Sequence, residues 1–359
     1  MARIALLYGG RSGEHDVSRA SAAFVLKNLH PSHEPVLIGI DASGTWFLQV
    51  IPAENLTALP VHKDESQQVH VVPGVGLTAA NGASLHIDAV LPILHGSYGE
   101  DGAVQGLLES ARIPYAGSGI LGSAVGMDKD ISKRLWARAG LPVVPWRTFR
   151  KENGINEKEA MSLFTELGNT VFVKPSNAGS SVGVNRATNP KELVEALHHA
   201  WKFDRKVLVE QAIEGRELEC SVLETPQGLQ AFPPGEIIPA NSHSFYDYEA
   251  KYLDPNGAHL AVPAALDADM AQTLPLLAQR AFRCVEAAGF SRVDFLVDDQ
   301  NHSIYINEIN TLPGMTAISL FPLMAEAGGV PATEMIDHLI TGAINESAYR
   351  EERNYTTGL

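Results

Sequence analysis

The segment RVDFLVDDQNHSIYINEIN, residues 292–310, consists of two alternating apolar runs that flank a polar stretch. This pattern predicts a β-hairpin, because each run has the period of two that a strand requires. Glu308 and Asn310 are two residues apart, so their side chains point to the same face of the second strand. Asp294 lies opposite them on the first strand if the turn is centred near Asn301. The hairpin is therefore predicted to gather polar side chains on one face.

Two carboxylates and an amide oxygen on one face are ligands that suit Mg²⁺, which keeps several waters and bridges substrate phosphates. The alternative is an ordinary solvated sheet face. We favour the metal site, because Ile304, Ile306 and Ile309 indicate a packed strand. Arg292 is two residues before Asp294 and shares its face. A cation beside metal-binding acids suits phosphoryl transfer and the stabilisation of developing negative charge.

A second segment, FVKPSNAGSSVGV at residues 172–184, ends an apolar run in Lys174 and then opens into glycine and serine. Backbone N–H groups, the hydroxyls of Ser180 and Ser181 and a fixed cation together suit a phosphate-bearing ligand. By itself the pattern also fits a mobile hairpin. The pattern G-x-x-x-x-G-K-[ST] is absent, so a phosphate site here is of another kind. Lys129 is a further candidate counter-charge, and exposure on the surface is the alternative for either lysine.

Composition and charge exclude several classes of protein. A chain of 359 residues predicts about two to three domains. The net charge is −15, from 27 basic and 42 acidic residues, and no long basic block appears, so we expect no binding to nucleic acid or to a membrane.

The 2 cysteines are too few for a disulfide framework, and Cys220 lies on a strand face where a buried, inert thiol is expected. The amino terminus does not resemble a secretory signal and no long apolar span follows, so we expect a cytoplasmic location.

The first part of the chain, residues 1–125, alternates between strand and helix patterns. RIALLYGG (3–10), EPVLIGI (34–40) and DAVLPIL (88–94) predict strands, and residues 14–29 have helical spacing. These elements predict an open parallel sheet. A dinucleotide-binding domain is a weaker alternative, because GGRSGE lacks the spacing G-x-G-x-x-G.

A small α+β unit is predicted at 126–212. Asp128 is expected to cap its first helix, and strands at 171–174 and 182–186 are predicted to flank the glycine–serine segment. The helix carries three apolar residues on one face: Ile131, Leu135 and Ala139.

A larger α+β unit is predicted at 213–359. ELECSVL (217–223) and AFPPGEIIPA (231–240) are expected to be neighbouring strands, and 267–288 is predicted to be one long helix. The polar, tyrosine-rich stretch at 241–258 is longer than most loops and is predicted to be a lid.

Three further groups of polar residues are candidates for a site, each with a structural alternative. His95 follows the third predicted strand, where α/β proteins bind ligands, and a structural histidine is an equally good interpretation. Glu100 and Glu14 each lie at the start of a helix, so complementing the helix dipole or capping is their first explanation. Glu210 and Glu217 could contact a nucleotide, but from spacing alone we favour exposed acids at a strand end.

Seven motifs occur in order between residues 9 and 316: GGRSGEHDVS, HGSYGEDG, MDKDISKRL, FVKPSNAGSSVGV, YDYEAKY, RVDF and INEINTLPGMT. Together they resemble the D-alanine–D-alanine ligase family of the ATP-grasp superfamily over nearly the whole chain. The resemblance implies a three-domain α/β ATP-grasp fold, with an open parallel α/β domain, a small α+β domain and a larger α+β domain. It also implies ATP-dependent ligation of two D-alanines through an acyl phosphate, for peptidoglycan precursors and hence for cell wall biogenesis and cell shape.

The resemblance also implies roles for individual residues. Lys129 and Lys174 would hold the nucleotide phosphates, beneath a loop at 176–183 that contains Ser180 and Ser181. The other implied contacts are with adenine and ribose (Glu210, Glu217), two metal ions (Asp294, Glu308, Asn310), the oxyanion (Arg292, Gly314), the first substrate (Glu14, His95), the carboxylate of the second substrate (Lys251, Ser319) and the closing lid (Tyr252, Ser180, Glu14).

The implied substrates are D-alanine and ATP, with two Mg²⁺ or Mn²⁺ ions, and the implied assembly is a homodimer. An alternative keeps the fold and mechanism but uses D-lactate or D-serine as second substrate, although Tyr252 at the lid favours an amine nucleophile. A catalytically silent nucleotide-binding protein is another alternative. The complete set of four hairpin residues argues against it: Arg292, Asp294, Glu308 and Asn310.

Overall fold

The computed structural model describes residues 2–54, 56–239, 258–298 and 300–352. Within these residues the strands form three sheets, which follow one another along the chain. No helix in the described ranges combines the length and the apolar character that are needed to cross a membrane.

The first sheet has six strands and is only partly parallel. Its strands are β1 (Arg3–Gly9), β2 (Glu34–Ile40), β3 (Trp46–Gln49), β4 (Gln68–Val72), β5 (Gly76–Ala79) and β6 (Ala89–Ile93). The spatial order is β5-β4-β3-β2-β1-β6, and β1 is parallel to both β2 and β6, as the sequence predicted. The sheet then continues antiparallel through β3, β4 and β5. Helices α1 (His15–Asn28) and α2 (Ala103–Ser110) pack on it, with a short 3₁₀ turn at Glu65–Gln67, and α3 (Ile120–Met127) follows along the chain.

The helix after α3 shows the largest difference from the sequence pattern. This helix, α4 (Lys129–Arg138), begins at the predicted cap, where the Asp128 side chain accepts from the backbone N–H of Ile131. Its apolar residues Ile131 and Leu135 are exposed, whereas Lys133 and Trp136 are fully buried. The apolar face that the sequence indicated is therefore not the packed face, because Trp136 packs into a hydrophobic core, with its Nε1–H donating to the carbonyl oxygen of Ala281, and Glu210 pairs with Lys133.

The second sheet has four antiparallel strands. They are β7 (Trp146–Arg150), β8 (Val171–Pro175), β9 (Asn185–Ala187) and β10 (Lys206–Gln211), in the order β7-β10-β8-β9. Helices α5 (Glu157–Leu167) and α6 (Pro190–Ala200) pack on it, and Asn189 caps α6. The strand predicted at 182–186 begins only at Asn185, because residues 181–183 form a turn in which Ser181 and Gly183 have positive φ.

The third sheet carries the hairpin. Its strands are β11 (Arg216–Thr225), β12 (Gly228–Ala231), β13 (Gly235–Pro239), β14 (Ala258–Ala261), β15 (Phe290–Asp298) and β16 (Ser303–Asn310). The order is β14-β13-β11-β15-β16, with β12 also paired to β11. The helices are α7 (Ala268–Cys284), which is shorter than the predicted 267–288, α8 (Leu320–Ala327) and α9 (Ala332–Glu352).

One hydrophobic core joins the first and third sheets. Ile4 and Leu6 of β1 belong to the same buried cluster as Phe290, Phe321 and Met335, whereas the second sheet has a separate core of its own. Cys220 is fully buried in the third sheet, and burial raises the pKa of its thiol to about 12, as expected for an inert cysteine. The domain limits 1–125, 126–212 and 213–359 stay predictions.

Candidate active site

The hairpin of β15 and β16 brings its polar residues together. Asp294 is paired with Glu308 and Arg292 with Asn310, so all four side chains leave the same face of the sheet. The carboxylate of Asp294 accepts from Nε and one terminal nitrogen of Arg292, both at 2.7 Å, and from Nδ2 of Asn310 at 3.0 Å. The predicted convergence of these residues is therefore present.

A β-bulge in the hairpin adds a residue that alternation does not show. The register shifts between Asp294 and Phe295, whose partners are Glu308 and Ile306, so Asn307 is the extra residue of β16. Its Oδ1 accepts from Nζ of Lys174 at 3.0 Å. The bulge thus ties the hairpin to the strand that enters the glycine–serine loop.

Glu219 is a second residue that the sequence did not single out. It lies on β11 directly opposite Asp294, it is buried, and its Oε2 is 2.8 Å from Nε of Arg292. Burial opposes the charge on Arg292, but Asp294 and Glu219 outweigh it and raise the pKa of the guanidinium above its ordinary value. Arg292 therefore stays charged between two carboxylates. The sequence pattern that could have identified Glu219 is the alternation of β11, in which Leu218 and Cys220 share one face and Glu219 lies on the other.

The chemistry of the hairpin donors fits a divalent ion. Asp294 and Glu308 face each other across the strand pair, Asn310 is beside Asp294, and Mg²⁺ prefers carboxylate and amide oxygens. Among the described residues, no group of three or more His, Cys, Asp and Glu side chains is arranged to hold a metal. The predicted set has only two carboxylates, Asp294 and Glu308, because its third member is Asn310. Both carboxylates contact cations in this structure: Asp294 accepts from Arg292, and Glu308 is 3.3 Å from Nζ of Lys129.

The two predicted phosphate lysines reach the hairpin from different elements. Lys129 is the first residue of α4, and its Nζ donates to the carbonyl oxygen of Ala178 at 2.7 Å. Lys174 ends β8, with its Nζ 2.7 Å from Oε2 of Glu210. Because both ammonium groups are largely buried beside carboxylates, the alternative of exposed surface lysines is wrong.

The glycine–serine loop at 176–184 is closely packed. Ser180 and Ser181 have φ values of 50° and 57°, and Oγ of Ser180 donates to Oε1 of Glu14 at 2.5 Å. The Glu14 side chain makes no capping hydrogen bond to α1, so capping is the wrong explanation for it. A Cβ at Gly183, where φ is 75°, would lie 2.7 Å from the Phe203 ring, so a larger residue would disturb the loop.

A cleft of about 830 Å³ lies between this loop and the hairpin, which is a size that suits a small-molecule ligand. The acid Glu217 borders it, as does the apolar side chain of Phe172. Seven predicted site residues line it: Lys129, Lys174, Ser180, Ser181, Glu210, Glu217 and Glu308.

Glu210 is buried in this cleft rather than exposed at a strand end, so our preferred interpretation from spacing was wrong for it. One carboxylate oxygen is 2.7 Å from Nζ of Lys174 and the other is 3.1 Å from Nζ of Lys133. Burial raises the pKa of Glu210, but the two lysines outweigh it, so the net shift is downward. Lys133 had no sequence signal beyond its charge within a helix.

His95 and Glu100 hold the segment that follows β16. The ring nitrogens of His95 contact the carbonyl oxygen of Leu312 at 2.8 Å and Oγ of Ser21 at 3.0 Å, and burial lowers its pKa. The carboxylate of Glu100 accepts from the backbone N–H of Leu312 at 3.1 Å and of Gly96 at 2.7 Å. Glu100 therefore points into the interior, and dipole complementarity at α2 is the wrong explanation. Contact of His95 with a substrate stays a prediction.

The same segment carries Gly314 and leads to Ser319. Oγ of Ser319 accepts from the backbone N–H of Thr316 at 2.9 Å. A Cβ at Gly314 would lie 3.2 Å from that oxygen. Oγ of Ser21 in α1 accepts from the backbone N–H of Met315 at 3.2 Å, so α1 supports this segment. The structure thus brings both residues to the end of the hairpin.

Comparison with known proteins decides the family. The model of the D-ala D-ala ligase C-terminus matches residues 135–341, and that of the D-ala D-ala ligase N-terminus matches residues 3–118. The chain belongs to the D-ala D-ala ligase family. Its α/β ATP-grasp fold and its assignment as an enzyme are thereby confirmed.

Two relatives show how far the similarity to this ligase family extends. The D-alanine–D-alanine ligase of Treponema denticola is 41% identical over 368 residues, which cover 99% of this chain and 98% of the relative. That of a Methylobacterium species is 44% identical, covering 96% of this chain and 92% of the relative.

Solved structures of ligases are similar over the same length. The D-alanine-D-alanine ligase from Coxiella burnetii has a TM-score of 0.85 at 32% identity and covers 98% of each chain. The VanG D-Ala:D-Ser ligase from Enterococcus faecalis has a TM-score of 0.83 at 32% identity, covering 95% of this chain and 99% of the other.

Part of the predicted ligase site lies outside the described residues. Lys251, Tyr252 and the lid predicted at 241–258 belong to a stretch of which only Ala258, the first residue of β14, is described. Their roles therefore stay predictions.

Stability of this ligase should depend on pH through Glu100. Burial, aided by the charge of Glu14, raises the pKa of Glu100 from 4.5 to about 8 in the folded protein. Between these values the folded state holds a proton that the unfolded state releases, so the free energy of unfolding falls as pH rises. Relative to Glu100→Gln, the wild type should lose several kcal/mol over this range, at about 1.4 kcal/mol per pKa unit.

Urea unfolding of both proteins at a series of pH values measures this difference. The variant removes only the titrating group, so contributions from His95 and from surface residues cancel. A difference between the two proteins that stays constant from pH 4.5 to 8 would show that Glu100 is not held protonated.

Proposed function

We propose that this chain uses ATP to join two D-alanine molecules into D-alanyl-D-alanine by way of an acyl phosphate. One observation carries the proposal: Lys129 and Lys174 line the cleft with Glu308, which lies opposite Asp294 of the Arg292–Asp294 pair in the hairpin. A carboxylate is a poor electrophile at neutral pH, so it has to be activated before an amine can attack. ATP is the family's source of that activation.

In the first step, a carboxylate oxygen of one D-alanine attacks the γ-phosphorus of ATP. A P–O bond forms, the bond from the γ-phosphorus to the β,γ-bridging oxygen breaks, and ADP leaves. Lys129 and Lys174 offset the charge on the phosphates, and the backbone of the loop around Ser180 and Ser181 covers them. The family resemblance assigns Glu210 and Glu217 to the adenine and ribose; both line the cleft, and Glu210 also pairs with Lys174.

Asp294, Glu308 and Asn310 would hold two Mg²⁺ or Mn²⁺ ions. When bound, such ions neutralise charge on the phosphate oxygens. The hairpin register and the contacts of Asp294 with Arg292 and Asn310 keep the three side chains in place beforehand. This arrangement of oxygen donors supports the metal assignment.

In the second step, the amine of the second D-alanine attacks the carbonyl carbon of the acyl phosphate. A C–N bond forms, the C–O bond to phosphate breaks, and the proton lost by the nitrogen passes to the leaving phosphate, which departs as hydrogen phosphate. Arg292 and the backbone N–H of Gly314 stabilise the oxyanion of the tetrahedral intermediate. Because Asp294 and Glu219 hold Arg292 in position, little reorganisation accompanies this step.

The substrates are held from both ends. Glu14 takes the ammonium group of the first D-alanine, with His95 nearby, and Lys251 and Ser319 bind the carboxylate of the second. The Ser180–Glu14 hydrogen bond fastens the loop over the reacting centre, together with Tyr252 of the lid. Closure excludes water, which would otherwise hydrolyse the acyl phosphate.

Product analysis tests this function. Purified protein is incubated with ATP, Mg²⁺ and an equimolar mixture of D-alanine, D-lactate and D-serine, and products are identified by mass. We expect D-alanyl-D-alanine and one phosphate released per dipeptide. No phosphate above background with D-alanine would refute the proposal. D-alanyl-D-serine as the main product would favour the alternative that the similarity to the VanG enzyme raises.

We further propose that the protein acts in the cytoplasm as a homodimer, which rests on the family resemblance. Light scattering of the purified chain measures its mass in solution, and a monomer would contradict the homodimer.

A further inference from the structure

We propose that Lys133 is a positioning residue that keeps the phosphate end of the cleft positively charged by taking up one oxygen of Glu210. This inference rests on the proposed function, because it assumes that ATP phosphates bind beside Lys174. It assigns a role to a side chain that is fully buried and does not line the cleft.

The burial of Lys133 needs an explanation. Its side chain lies at 0% exposure on the inner face of α4, although burying an ammonium group is costly unless it is well paired. An apolar residue would fill the same space at lower cost. The ammonium group therefore depends on charged partners around it, and Glu210 is the nearest of them.

The contacts of Lys133 form a chain of alternating charge. Its Nζ is 3.1 Å from Oε1 of Glu210, whose Oε2 is 2.7 Å from Nζ of Lys174. Lys174 in turn donates to Oδ1 of Asn307 in the bulge of the hairpin at 3.0 Å. Four elements, α4, β10, β8 and β16, thus converge on the floor of the cleft. Nζ of Lys133 also lies 5.9 Å from the centre of the Trp146 ring on β7, which stabilises a cation.

Counting charges shows what Lys133 contributes. Glu210 and Lys174 alone make a neutral pair, and a neutral pair attracts a triphosphate weakly. With Lys133 the three side chains sum to one positive charge, and Glu210 divides its two oxygens between two partners. Lys174 therefore keeps an ammonium charge that is available to phosphate.

Titration of Lys133 gives a readout that a merely structural role would not change. Burial, together with the positive charge of Lys174, lowers the pKa of Lys133 to about 8, although the negative charges of Glu210 and Glu308 act in the opposite direction. The ammonium group loses its proton as pH rises through this value, and the positive charge of the cleft floor is lost with it. Affinity for ATP should therefore fall above pH 8.

The experiment compares wild type with Lys133→Met, which keeps the length and removes the charge. ATP affinity is measured by titration calorimetry with Mg²⁺ between about pH 6.5 and pH 9.5. We expect the Kd of the variant to be about tenfold higher at pH 7 and nearly independent of pH. The wild-type Kd should rise through pH 8 and meet that of the variant at the alkaline end. Lys191→Met, at a side chain with 86% exposure, is the matched control and should follow the wild type.

Two results would overturn the proposal. One is a Lys133→Met variant that binds ATP as tightly as wild type at pH 7. The other is an alkaline rise in Kd that persists unchanged in the variant. If Lys133→Met does not fold, Glu210→Gln is measured instead. Removing the negative charge of Glu210 should lower the pKa of Lys133, so the alkaline rise in Kd should begin below pH 8. A rise at the same pH as in wild type would contradict the proposal.

Binding and ligation are separate measurements, so the two proposals can fail separately. A protein that binds ATP with the expected pH dependence but releases no phosphate with D-alanine would support Lys133 and refute the proposed function. A protein that ligates D-alanine but whose ATP affinity is unchanged in Lys133→Met would support the proposed function and refute the role of Lys133.

Discussion

Turnover should fall by about 10³-fold or more when Glu308 is replaced by glutamine, with no loss of the fold. The amide keeps the shape of the side chain but removes the negative charge that lies opposite Asp294 and 3.3 Å from Nζ of Lys129. An amide is a much weaker ligand for a divalent ion. Phosphate release with D-alanine, ATP and Mg²⁺ measures the effect.

The control for this variant is Glu326→Gln, at an exposed position on α8, which should retain wild-type activity. Urea unfolding of both variants checks that the fold persists, since Glu308 is only partly buried. If Glu308→Gln turned over at the wild-type rate, the metal site would be refuted, and with it the interpretation of the hairpin as the element that gathers the metal ligands.

Replacing Arg292 by lysine should lower kcat by about 10²- to 10³-fold. The positive charge between Glu219 and Asp294 remains, so the buried carboxylates keep a counter-ion and the protein should fold. Lysine lacks the planar fork that donates twice to Asp294 and still has an N–H for the developing oxyanion. The loss should therefore appear in the chemical step and leave the KM for ATP within about threefold.

Arg283→Lys is the matched control, because Arg283 is exposed on α7; its kcat should equal that of wild type. Steady-state kinetics with varied ATP and D-alanine separate kcat from KM. A variant at Arg292 that raised only the KM for ATP would place the guanidinium on the phosphates and contradict its role in stabilising the oxyanion.

Much of the fold was predictable from local patterns. The existence of the three parallel strands, the cap of Asp128 on α4 and the pairing of Asp294 with Glu308 all follow from residues close together in sequence. Strand alternation and cap chemistry act over a few residues, so they can be read without knowing the partner element. The ends of elements were less predictable, as at β9, where a turn delays the strand.

Residues whose role depends on a distant partner could not be found in this way. Glu100 precedes a helix and looks like a dipole partner, but it binds the backbone of Leu312, 212 positions away in the chain. In α4 the apolar pattern indicated the wrong face, because Glu210 on β10 gives Lys133 a buried counter-ion. Neither partner is visible from the neighbouring sequence.

The sequence by itself determined the hairpin, the glycine–serine loop and the family, because each depends on residue type and short spacing. Only the tertiary structure decided which charges meet. Glu219, Asn307 and Lys133 became candidate site residues because β11, a bulge in β16 and α4 bring them to Arg292, Lys174 and Glu210. Electrostatic interactions depend on distance and burial in three dimensions, and neither is determined by order along the chain.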